Sequence, residues 1–125
     1  MADVFKFNGS YTSTPAGSTS GFPEVSCHFD ETVALTKKTV VSMILTSDSP
    51  ASVPLGGLTN VNVLAVKVIG GHLKLTVTSS DGSAQSVPVD SVYMSISLAV
   101  PITAVTVTRD PAVETQVQIF MGERA

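Results

Sequence analysis

Apolar residues from Val25 to Met121 come in short runs, alternating or continuous, cut every few positions by Gly, Pro, Asp or Ser. No run recurs with the 3.6-residue period of a helix. This pattern constrains the fold more than any other feature. A period of two sends successive side chains to opposite faces of a strand. Residues 73–78 are the cleanest case, with Leu73, Leu75 and Val77 facing one way and Lys74, Thr76 and Thr78 the other. Ser79-Ser80-Asp81-Gly82-Ser83 then reads as a hairpin loop, with Asp-Gly as its turn signal. Residues 85–89 pair back across it, and Pro88 marks that strand as an edge.

The same reasoning places strands along the rest of the chain. Residues 25–29 form a short one. Residues 32–46 form two strands, or one long strand broken near Lys37-Lys38. Residues 47–50 are a turn, and 53–58 a loop or irregular edge. Residues 60–69 form a strand closed by Gly70-Gly71. Val92, Met94, Ile96 and Leu98 share a face of the next, and residues 102–108 follow the break at Pro101. Val113, Val117, Ile119 and Met121 share a face of the last, opposite Glu114, Gln116 and Gln118. Nineteen valines and thirty serines and threonines, with no tryptophan, fit this β-forming pattern. The expected fold is all-β: an antiparallel β-sandwich of seven to nine strands, jelly-roll or immunoglobulin-like, with a small barrel less favoured. The Cys, Trp and Cys signature of true immunoglobulin domains is absent.

Residues 1–24 differ in character. They are rich in Gly, Ser and Thr, yet carry Phe5, Phe7, Tyr11 and Phe22. The expectation is an extended N-terminal arm, with a short edge strand at residues 4–7 and its rings docked on a neighbouring subunit. Residues 25–125 then form the single sandwich domain.

Three segments break the half-buried pattern. Residues 40–45, 61–69 and 98–102 are apolar on both faces, the second interrupted only by Asn62 and Lys67. An ordinary sandwich buries one face of each strand and wets the other. A second apolar face needs a cover, supplied by the arm and loops or by another subunit. Val61, Val63 and Leu64, together with Tyr93 and Phe120, are therefore candidate interface residues beside the four rings of the arm. Charge points the same way: only 14% of residues are charged, well below the roughly 25% of typical soluble domains.

Several chemistries find little footing. The net charge of −3 and scattered basic residues leave no nucleic-acid footprint. No apolar stretch reaches 18 residues, so no transmembrane helix and no membrane partner is expected. The N-terminal residues lack the basic and apolar regions of a secretory signal, so synthesis in a reducing cytoplasm is expected. With Cys27 alone, no intrachain disulfide forms. Cys27, His28 and Asp30 are the densest metal-ligand cluster, but neighbours on a strand point apart, and His28 with Asp30 makes only two ligands. Neither a metal, a cofactor nor catalytic residues are expected. Most of the acids, including Asp48, Asp81, Asp90 and Asp110, sit in turn contexts, where they bond their own backbone. Tyr93 and Phe120 are the candidate platforms for a carbohydrate or host-surface ligand.

The pattern VNVLAVKVIGGHLKLTVTSSDG, followed by SVYMSISLAVPITAVTVTR and VETQVQIFMGE, resembles the small β-sandwich virion proteins of tailed bacteriophages over residues 58–122. The resemblance implies a non-enzymatic, homo-oligomeric structural protein assembled in host cytoplasm. The implied role is capsid decoration (cement), bound to the major capsid protein or other virion proteins. A tail or neck adaptor or a head-fibre component is the alternative, and a carbohydrate- or host-surface-binding module a further one. The family brings no catalytic residues to this chain.

Overall fold

The structure is a computed structural model and describes residues 3–13 and 25–125. Among these residues there are nine strands and no helix: β1 (Asp3–Ser13), β2 (Val25–Leu45), β3 (Ala51–Ser52), β4 (Val63–Gly70), β5 (Leu73–Ser79), β6 (Ala84–Val89), β7 (Val92–Ile96), β8 (Ile102–Arg109) and β9 (Thr115–Arg124). They form two antiparallel sheets. Sheet A has the order β1-β2-β9-β4-β7 and sheet B the order β3-β8-β5-β6. The expected all-β, two-sheet sandwich is the observed fold.

The main core lies between the sheets. Sheet B contributes Leu73, Leu75 and Val77 from β5 and Ile102, Val105 and Val107 from β8. Sheet A contributes Leu64, Val66 and Val68 from β4 and Val117, Ile119 and Met121 from β9. Burying such side chains stabilises the fold by roughly 1.5–3 kcal/mol each. Sheet B's other face is polar, as alternation demands: Thr76 lies opposite Thr106 and Ser86. Pro88 lies on β6, at the edge of sheet B, where its missing N–H costs no ladder bond.

β2 differs most from the sequence expectation. It is one strand of 21 residues rather than a short strand at 25–29 followed by a broken segment. Its first part, Val25 to Ala34, pairs only with β1; Leu35 pairs with both β1 and β9, and the rest, to Leu45, pairs with β9. The predicted break is a bulge between Leu35 and Lys37. The extra residue, Thr36, turns its hydroxyl to the carbonyl oxygens of Glu123 and Arg124. A bulge resets the alternation. Leu35 and Val40, five positions apart, therefore serve the same face of sheet A.

β1 likewise outruns its expected extent. The strand expected at residues 4–7 continues to Ser13, pairing residue for residue with β2. The two form a ribbon roughly 36 Å long at about 3.3 Å per residue. Two further corrections concern loops. Residues 97–101 are not a strand: the Ser97 hydroxyl donates to the Val100 carbonyl, and Leu98 and Val100 are exposed. Val113 lies exposed ahead of β9 and does not join its core face.

Candidate functional site

The outer face of sheet A, turned away from sheet B, is the unusual surface. By alternation it carries Val40, Ser42 and Ile44 from β2, Gln116, Gln118 and Phe120 from β9, and Val63, Ala65, Lys67 and Ile69 from β4. β7 adds Val92, Met94 and Ile96. Most of these are apolar, although the sheet's other face already supplies the core.

One half of this face is covered from within the chain. The ribbon of β1 and early β2 curls over it and lays Phe5 on Phe120, with ring centroids 5.2 Å apart. Val33, Leu35 and Val63 form a second small core there, joined by Phe5, Ile96 and Phe120. Close packing at this corner requires Gly122: a Cβ on it would sit 2.9 Å from a Leu35 methyl carbon. Further out, Phe7 stacks on Phe29 at 4.7 Å, and Glu31 lies opposite Phe7 in the register.

The other half is bare. Val40, Ile44 and Val92 are 66%, 60% and 62% exposed, and Ile69 is also exposed. Val40 and Val92 line a cleft of ≈ 400 Å³ together with Ala65, Lys67, Met94 and Phe120, among others. Lys67 is the one charged group on that lining. Ile44 instead borders a separate gap with Gly70, Glu114 and Gln116. A further gap lies where the ribbon meets β7, lined by Phe7, Glu31, Met94 and Ile96.

The candidate interface residues divide accordingly. Phe5, Phe7 and Phe120 are brought together on the outer face. Tyr11 lies in β1 opposite Cys27; Phe22 falls outside the described residues. Val61, Val63 and Leu64 are corrected: each is 0% exposed, so they form core inside the chain and offer no surface to a neighbour. Tyr93 packs against the main core. With Phe120 beneath Phe5, neither ring stands free as a ligand platform. The sequence singled out residues 61–69 as apolar on both faces, and the bare residues Lys67 and Ile69 lie there. It gave no weight to Lys67 beyond an interruption, and assigned Val92 to a shared strand face without marking it as exposed.

Two of the polar clusters among the described residues serve turns. The Asp48 carboxylate accepts bonds from the Ala112 N–H and the Arg109 Nε, both at 3.0 Å. It ties the β2–β3 turn to the β8–β9 turn, where Ala112 adopts φ 64°. The Ala112 bond, with Arg109 beside it, holds the Asp48 carboxyl below its ordinary value, although partial desolvation opposes this. Asp81 accepts from the Ser83 hydroxyl and N–H across the hairpin loop, and those bonds lower its pKa likewise. His28 and Asp30 are exposed on the ribbon. Among the described residues, no group of three His, Cys, Asp or Glu is placed to hold a metal ion. No helix among them is long and apolar enough to cross a membrane.

No protein-family model matches the chain, and comparison with curated proteins and with solved structures found no match either.

Proposed function

We propose that this chain is a non-enzymatic structural protein of a virion, of the capsid-decoration kind, that acts by adhesion. The observation that carries the reading is the bare half of sheet A's outer face, where Val40 and Val92 line the Lys67 cleft and Ile44 and Ile69 are exposed on the same face. Several exposed apolar side chains on one face of a small domain mark an interaction site. Here it adjoins a long ribbon that carries further aromatic rings on the same side. Rigid β-structure suits this role, because little conformational entropy is lost when preformed strands dock. The hydrogen bonds of Asp48, Asp81 and Thr36 hold turns and a bulge, which favours adhesion over catalysis.

The test is the composition and imaging of purified particles from cells carrying the encoding genome. Mass spectrometry should find the chain in many copies per particle. Labelled antibody should mark the head surface in electron micrographs. Absence from the particles would remove the virion role, and labelling confined to the neck or tail would replace decoration by an adaptor role.

A further inference from the structure

Two surfaces of this chain are unfinished, and their chemistry matches. The first is the cleft on sheet A, apolar along Val40, Ala65, Val92 and Met94 and carrying the cation Lys67. The second is the ribbon beyond Phe5, where Phe7 stacks on Phe29 and Glu31 lies directly opposite Phe7. Each surface is apolar with one charge, and the charges are opposite in sign. Neither Lys67 nor Glu31 has an ion-pair partner among the described residues.

The ribbon does not satisfy its own chain's cleft. Its base is held by Phe5 on Phe120, and an open gap lies between Phe7 and Glu31 of the ribbon and Met94 and Ile96 of β7. Val40, Lys67 and Val92 remain beyond it. We propose that the ribbon of a second copy fills this cleft, with Phe7 and Phe29 against Val40, Val92 and Met94 and Glu31 beside Lys67. The exchange is reciprocal about a two-fold axis. It rests on the assembly role proposed above and names the partner of that surface.

Area favours exchange over simple face-to-face contact. The bare half spans four strands and about five residues along each, roughly 19 by 17 Å at ordinary strand spacings, or about 300 Å². Two such faces pressed together fall short of the roughly 1,200 Å² of a stable interface. A two-fold exchange makes the ribbon–cleft contact twice and adds the length of both ribbons. The Glu31–Lys67 pair then sets register, since a slipped ribbon would bury an unpaired charge.

Sedimentation velocity of the full-length chain over a wide concentration range provides the test, with circular dichroism to verify folding. Both charged side chains are exposed, so Lys67→Glu and Glu31→Lys should fold. Each alone should weaken dimerisation tenfold or more, and the double variant should recover to within about threefold of wild type. Should either fail to fold, Lys67→Gln and Glu31→Gln should still weaken dimerisation several-fold. Single variants that associate like wild type, or a double variant no better than either, overturn this contact and leave the assembly role standing. A wild-type chain that stays monomeric overturns the self-contact, and if purified virion shells then bind it through the same cleft, the occupant is a different protein.

Discussion

Phe5 stacks on Phe120 with the ring planes 24° apart, joining the first strand of the chain to the last. Between them they seal Val33, Leu35 and Val63 from water on the outer face of sheet A. The N-terminal strand is thus part of the folded unit while the ribbon it belongs to continues outward.

Truncating that ring should be felt in stability. Phe5→Ala removes a half-buried side chain and a stacked pair, a loss of about 2 kcal/mol. Urea unfolding of the variant should show a lower midpoint with an unchanged slope. An unaltered midpoint would mean that the ribbon does not close over sheet A.

The corner beneath it should be intolerant of added volume. Gly122→Val forces atoms into space held by Leu35 and should cost roughly 1–3 kcal/mol. Combining it with Leu35→Ala should recover part of that loss, because the two changes share one space. Thermal melts of the single and double variants would reveal strict additivity if the residues did not touch.

Acid should release the turn clasp at Asp48. Its folded pKa is lowered by the Ala112 N–H and by Arg109. The clasp therefore contributes fully above the unfolded value of about 3.9 and is lost as pH falls through the lower folded value. The stability gap between wild type and Asp48→Asn should be constant above about pH 5 and should shrink below about pH 4. A gap that is flat down to pH 2 would contradict a lowered pKa.

Much of the sandwich is legible in the sequence because its strands are locally patterned. Leu73, Leu75 and Val77 alternate with polar residues, and Pro88 announces an edge. The ribbon is not legible in that way. Residues 8–13 are small or polar apart from Tyr11, and their strand exists only through pairing with Val25 to Asp30, a contact that no local period encodes. The run at 98–102 misleads for the opposite reason: it is apolar, but Pro101 and the Ser97 turn keep it out of a sheet. β7 is ambiguous at the sequence level, since Val92 and Met94 on one side and Tyr93 on the other face surfaces that are both apolar. The second apolar face of residues 40–45 and 61–69 is legible. Its partial cover by Phe5 is not, because covering depends on the Leu35–Lys37 bulge and the curl of the ribbon.

The central claim is that the bare half of sheet A is an assembly surface, and one comparison tests it most directly. Light scattering after gel filtration should find wild type as an oligomer at micromolar concentration. The double variant Val40→Ser, Val92→Ser should be a monomer of equal melting temperature, because both side chains are mostly exposed within the single chain. An oligomer unchanged by the two substitutions, or a wild-type monomer that virion shells also fail to bind, would contradict the account.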